Sequence, residues 1–191
     1  MMKLVDCYNK YKCDKGTVSR KSVGHRYDRI YEPVLDSFRA NEFDILEIGV
    51  LKGNSIKAHL EYAPNARITG VDVFTRVLPQ NIPIFNHPNV KWIKHDSTLP
   101  VPFIDERFDI IIDDGLHTHT AQRKTFENFF PYLKDDGVYF IEDVWPFDRM
   151  GQKEKQHPWL TKHPQDWNDD EYEKLLNAIS PFDVTFHDIR E

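Results

Sequence analysis

The chain has 191 residues, of which 40% are hydrophobic and 29% charged, with a formal net charge of −6. That length suits one α/β domain, and thirteen Phe, eight Tyr and four Trp can fill a sizeable core. The negative charge argues against a general nucleic-acid binder, which needs a basic surface to displace counterions, and no apolar run reaches the roughly 20 residues that span a bilayer.

The opening stretch MMKLVDCYNKYKCDKG is polar and lacks a signal-peptide core, so Cys7 and Cys13 are expected as reduced thiols in a cytoplasmic protein. Tyr27, Ile30, Tyr31, Val34, Leu35 and Phe38 follow helical spacing, and Pro33 predicts a kink or restart. DILEIGV (44–50) is the first predicted strand, and NSIKAHLEYA reads as the helix after it. RITGVDV (67–73) and VKWIKHD (90–96) are the next two strands. The link STLPVPFIDER holds two prolines and has room for one helical turn at most. FDIIIDD (108–114) is the fourth strand, followed by a helix over AQRKTFENFFPYL. KDDGV (134–138) reads as a turn leading into the fifth strand, GVYFIED (137–143). Residues 145–168 are irregular and hold three of the four tryptophans, which suits either a lid over a site or a cover over exposed core. Tyr172, Leu175, Leu176 and Ile179 mark a last helix, and DVTFHDI (183–189) a sixth, alternating strand.

Strands alternating with helices predict a doubly wound, mostly parallel Rossmann-like sheet. The expected layout is one domain. Residues 1–40 form a helical cap, 44–144 the cofactor-binding core, 145–168 the loop, and 169–191 a helix and strand.

LEIGVLKGNS joins a strand ending at Glu47 to a helix through Gly49 and Gly53, in a spacing unlike the G-x-G-x-x-G of dinucleotide enzymes. Asp72 ends the second strand, where an acid can accept hydrogen bonds from ribose hydroxyls. Asp96 ends the third and can meet an adenine amino group. Helix caps and turn acids explain any one of these, but three acids at three successive strand ends suit a nucleoside lying across the rim.

With LEIGVLKGNS, GVDVF, FDIIIDDGLHTH and LKDDGVYFIEDV, the chain resembles the class I S-adenosylmethionine-dependent methyltransferases from about residue 44 to 144. Within them it resembles the metal-dependent macrolide sugar O-methyltransferases and the cephalosporin-hydroxylase-like group, whose DKG…H.Y…Y segment is similar to DKGTVSRKSVGHRYDRIY here. The resemblance implies strand order 3-2-1-4-5-(7)-6, with the seventh strand missing from this chain. It implies S-adenosylmethionine bound by Glu47, Gly49, Gly53, Ser55, Asp72, Asp96, Ser97 and Asp113. Strands four and five would then lie side by side and deliver Asp114, Glu142 and Asp143 to one rim. Three such carboxylates repel unless a cation joins them, and oxygen ligands favour Mg²⁺, Mn²⁺ or Ca²⁺. Because neighbouring strand residues point to opposite faces, Glu142 and Asp143 share a metal only where the strand has ended.

His117 is the expected base that takes the acceptor hydroxyl's proton, with Asp114 beside it and His119 as alternative. GLHTHT also reads as a helix cap through Thr118 or Thr120, and a cap and a base use different atoms. Lys15, Tyr27 and Tyr31 can reach the cofactor, the acceptor or the core. The leading expectation is therefore an O-methyltransferase for a hydroxylated small molecule such as a sugar, without nucleic-acid or membrane partners and compatible with homo-oligomers. A non-catalytic nucleoside binder is the alternative, and a metal-dependent hydrolase using DDGLHTH, with partial support from His95, is third.

Overall fold

The computed structural model describes residues 2–17, 24–101 and 104–187. Five strands, β1 (Phe43–Ile48), β2 (Ala66–Asp72), β3 (Val90–Lys94), β4 (Phe108–Asp113) and β5 (Leu133–Ile141), form one sheet in the order β3-β2-β1-β4-β5. Every neighbouring pair is parallel, as expected for strands joined through crossovers. The order reverses between β1 and β4, so the C-terminal strand ends flank a crevice where ligands bind in open α/β sheets.

Alternation assigns each side chain to a face. Ile45, Ile68, Ile110, Ile112 and Phe140 point to one side, under α1 (Leu4–Lys10), α2 (Asp28–Phe38) and α3 (Asn54–Tyr62). Leu46, Val71 and Ile111 point to the other and meet Phe129 of α4 (His119–Phe129). Both sides are buried, which accounts for the near-continuous apolar runs of β1 and β4. α2 runs through Pro33 without restarting. α4 gives way at Pro131, which lacks a backbone donor, to a 3-10 turn over Phe130–Tyr132.

Two expectations change. The KDDGV turn lies within β5: the register jumps from Phe108–Leu133 to Ile110–Val138, so the extra residues form a bulge in the strand. The sixth strand does not form among the described residues, of which 183–187 are exposed coil; residues 188 and 189 lie outside them. Phe182 packs on Phe130 of the 3-10 turn, with ring centroids 4.1 Å apart. A cavity of about 1070 Å³ runs along the uncovered β5 edge, from Phe182 and Phe186 to Tyr27, Tyr31, Glu142 and Asp143.

Residues 145–168 are more ordered than a plain loop. They contain α5 (Gln152–Lys155) and α6 (Pro158–Thr161) and build a small core of Phe147, Met150, Leu160 and Trp167 with Tyr172 of α7 (Asp169–Ile179). No helix among the described residues is long and apolar enough to cross a membrane.

Candidate active site

The site forms where β4 and β5 end. Ile112 pairs with Phe140, and both point toward α2 and α3. Two residues further along each strand, period-2 geometry brings Asp114 and Glu142 to the same side and beside each other. β5 stops at Ile141, and Asp143 turns at φ 52°, so both acids reach the rim. Asp113 takes the opposite side.

Between Asp114 and Glu142 lies an ammonium group. Lys15 Nζ is 2.5 Å from Asp114 Oδ2 and 2.7 and 2.6 Å from the two Glu142 oxygens. Residues 14–16 are zipped to 24–28 by backbone bonds from His25 to Asp14, Arg26 to Gly16 and Asp28 to Lys15. That pairing seats Lys15 under the start of α2, and it is the structural use of the DKG and GHRYD stretches. Burial pulls the Lys15 ammonium down, but Asp114 and Glu142 outweigh it and keep the group charged. Burial, then Asp114, pushes the Glu142 carboxyl well above the carboxylate range, against Lys15 and the Tyr31 hydroxyl, which donates at 2.5 Å. The Tyr27 hydroxyl donates to Asp143 Oδ1 and accepts from the Asp143 N–H at 3.3 Å.

Lys15 thus lies between two of the three predicted metal ligands, Asp114 and Glu142. Among the described residues no three His, Cys, Asp or Glu side chains are grouped to hold a metal ion. Two oxygens nevertheless face outward. Asp114 Oδ1 and Asp143 Oδ2 lie 3.6 and 3.8 Å from His117 Nε2, beyond hydrogen-bond distance, on side chains a quarter to a third exposed. Hard, partly solvated oxygens of this kind fit Mg²⁺, Mn²⁺ or Ca²⁺ in type.

His117 is a third exposed and stands over these acids. His119, the alternative base, is fully buried, and its Nε2 is 2.8 Å from the Trp145 carbonyl. Burial lowers its pKa, so it anchors the chain rather than serving the rim. Thr118 caps α4 by accepting from Ala121 N–H at 3.2 Å, so the cap and an exposed His117 coexist.

The expected cofactor residues separate into two groups. Gly49 (φ 88°) follows β1, and a Cβ there would lie 1.9 Å from the Asp114 carbonyl oxygen. Its missing side chain lets the ends of β1 and β4 touch. Gly53 (φ 67°) starts α3. The Asp72 carboxylate accepts from Leu51 N–H at 3.1 Å and Phe74 N–H at 2.6 Å, so it orders the glycine loop. Asp96 is exposed and accepts from Thr98 N–H at 3.0 Å. Ser97 Oγ bonds Thr125 Oγ1 at 2.8 Å.

Glu47, Ser55 and Asp113 lie inside. Glu47 is fully buried and accepts from the Ser55 hydroxyl, with its other oxygen 3.6 Å from His59 Nδ1. Burial raises Glu47 to about 7 and lowers His59 to about 3. Asp113 accepts from Gly115 N–H at 3.2 Å, and burial raises it to about 8. His95 bonds the Leu99 carbonyl at 3.2 Å, away from this cluster.

A parallel sheet ordered 3-2-1-4-5, with a glycine turn after its first strand and acids at the ends of its fourth and fifth, defines the class I S-adenosylmethionine-dependent methyltransferase fold. The family described as a methyltransferase domain matches residues 46–144, and the chain belongs to it. Similar proteins include the L-olivosyl-oleandolide 3-O-methyltransferase of Streptomyces antibioticus, 31% identical over 72% of this chain and 37% of the relative. The mycinamicin VI 2''-O-methyltransferase of Micromonospora griseorubida is 27% identical over 63% of this chain and 32% of the relative. The chain spans about a third of the length of the curated relatives it matches. Two solved structures share the fold. The SAH-bound Podospora anserina methyltransferase PaMTH1 has a TM-score of 0.57 at 15% identity, over 95% of this chain and 78% of its own. The MycE methyltransferase with Mg, SAH and mycinamycin VI has a TM-score of 0.54 at 23% identity, over 73% of this chain and 34% of its own.

Proposed function

We propose that the chain carries the reaction centre of an S-adenosylmethionine-dependent O-methyltransferase whose acceptor is a hydroxyl on a sugar-bearing small molecule. The observation that carries this reading is the meeting of Asp114, Glu142, Asp143 and Lys15 below a partly exposed His117 at one strand edge. The curated relatives, named as methyltransferases of rhamnosyl, olivosyl and mycinamicin glycosides, support the acceptor class.

S-adenosylmethionine is assigned to the rim formed by the Gly49–Gly53 loop, Asp72 and Asp96. Glu47, Ser55 and Asp113 support that rim from beneath, and Ser97 supports it through Thr125. An acceptor oxygen attacks the sulfonium methyl carbon in line, the carbon–sulfur bond breaks, and the hydroxyl proton goes to His117 Nε2. The products are a methyl ether and S-adenosylhomocysteine. Asp114 and Asp143 orient the acceptor and balance the imidazolium formed. Lys15 keeps Asp114 and Glu142 from repelling each other, so the acids stay in place through the turnover. Mg²⁺ would be held by the outward oxygens of Asp114 and Asp143, with Glu142 occupied by Lys15. When bound, it supplies acidification of a coordinated hydroxyl.

Calorimetry with S-adenosylmethionine and S-adenosylhomocysteine, with and without Mg²⁺, tests the cofactor. Micromolar binding is expected, and no heat from either ligand with folded protein would sink the reading. Transfer of a labelled methyl group to rhamnosyl and olivosyl glycosides tests the chemistry. His117→Ala is expected to lower that turnover at least a hundredfold while cofactor binding persists.

A further inference from the structure

The loop that bears His117 is stitched to residues 145–172 at four points. The His117 carbonyl accepts from Trp167 Nε1–H at 2.8 Å, and His119 Nε2 pairs with the Trp145 carbonyl at 2.8 Å. Thr120 N–H donates to the Asp166 carbonyl at 3.3 Å, and Thr120 Oγ1 donates to Glu171 Oε2 at 3.0 Å. Behind these bonds lies the small core around Trp167, which is itself 6% exposed. The His119 ring is packed into the same core, 4.9 Å from Phe147 and 5.0 Å from Tyr172.

Among the described residues the imidazole of His117 has no comparable support. Its Nε2 is beyond hydrogen-bond distance of both nearby acids. Its position therefore follows from its backbone, and the backbone carbonyl is held by a buried indole. The buried anchors Phe147, Met150, Leu160 and Trp167 and the four attachments distinguish this region from a lid, which opens by breaking few, exposed contacts.

We infer that residues 145–172 form a rigid clamp that sets where His117 stands over the acid pair, with Trp167 as its positioning residue. This rests on the reading of His117 as the base. A positioned base transfers a proton only within a narrow range of geometry, so displacement lowers kcat without weakening cofactor binding.

Trp167→Phe removes the indole donor and keeps an aromatic ring in the core. Hydrogen–deuterium exchange on the full chain, with S-adenosylhomocysteine present, compares the parent with this variant and with Leu160→Ala, which loosens the same core without touching the His117 carbonyl. Trp167→Phe is expected to speed exchange over residues 115–120 at least tenfold, with β1 and β4 unchanged. With the glycosides used above, kcat should fall at least tenfold at constant KM for S-adenosylmethionine. Leu160→Ala should speed exchange mainly within 147–161 and leave kcat within threefold. Should Trp167→Phe fail to fold, Thr120→Val cuts a peripheral bond of the clamp, and exchange about threefold faster over 115–120 with 147–161 unchanged is expected, the reverse of the Leu160→Ala pattern. Unchanged exchange over 115–120 with kcat retained in Trp167→Phe would overturn the clamp, and equal effects of Trp167→Phe and Leu160→Ala on kcat would overturn Trp167 as its positioning residue. Full turnover by His117→Ala would instead overturn the assignment of the base, whatever the exchange data gave.

Discussion

Glu47 at the end of β1 and Glu142 just beyond β5 lie on the same side of the sheet, and both are buried. Their surroundings make them opposites. Glu47 meets a serine hydroxyl and a histidine that burial, helped by Lys15, keeps neutral at ordinary pH. Glu142 has both oxygens on Lys15 and one on Tyr31. Burial raises both carboxyls, but only Glu142 has a cation in contact. An acid at a strand end therefore meets neutral groups or a cation according to whether a distant segment brings one. Here residues 14–16 bring it to β5 and leave β1 without direct contact.

The strongest way to break this contrast is to remove the cation. Lys15→Met leaves Asp114 and Glu142 buried together without their partner, which typically costs about 3–5 kcal/mol when one member of a buried pair is lost. Urea unfolding at pH 7 measures it. Adding Glu142→Gln to Lys15→Met should restore part of the loss, because it removes one of the two crowded carboxyls the lysine had joined. A loss below about 1 kcal/mol for Lys15→Met would show that the pair is not the keystone of the rim.

At β1 the expected effect is smaller and depends on pH. Burial raises folded Glu47 from 4.5 to about 7. Between those values the folded chain holds a proton that the unfolded chain releases. The contribution is complete below pH 4.5 and is lost as pH rises through 7. Glu47→Gln removes this dependence and keeps an oxygen for Ser55. The variant should gain about 2–3 kcal/mol relative to the parent between pH 4.5 and 7, and the difference should be flat on either side. His59, lowered to about 3, has the opposite slope, but it is present in both chains and cancels in the difference. Equal slopes for the two proteins would mean that Glu47 is ionised when folded, and the contrast with Glu142 would vanish.

The sequence shows much of this arrangement and hides its cause. Apolar runs place β1 to β5, and the family resemblance, by setting strands four and five side by side, brings Asp114 near Glu142 through side-chain parity. Parity also puts Glu47 in a row with Ile45, and Ser55 and His59 lie one helical turn apart on α3. That polar pair facing a strand-end acid was the available signal that Glu47 points inward. Lys15 has no periodic signature: its partners are 99 and 127 residues away, and its DKG motif is marked by the family resemblance alone. Val184 and Phe186 misled in the other direction, since alternation looks the same whether or not a neighbouring strand accepts the segment. The bulge in β5 was legible as turn chemistry but not as part of the strand. Trp167 stood out only as one aromatic among several in an irregular stretch, because a donor to a backbone carbonyl 50 residues away leaves no pattern.

Tyr27 offers the finest test, because it separates the charge that the N-terminal segment brings from the hydrogen bonds it brings. Its hydroxyl donates to the Asp143 carboxylate and accepts from the Asp143 N–H, bracing a residue at φ 52°. Aspartate tolerates that left-handed conformation better than most residues, so the brace adds to a conformation already accessible. Tyr27→Phe deletes both bonds and keeps the ring, which stacks on His25 and meets Tyr31 edge-on. Asp143 is a third exposed, and water can replace part of what is lost. The expected cost is about 1 kcal/mol by urea unfolding, well under that of Lys15→Met. If it matched the lysine variant, hydrogen bonding rather than countercharge would hold the rim, and Glu142 would differ from Glu47 in degree only.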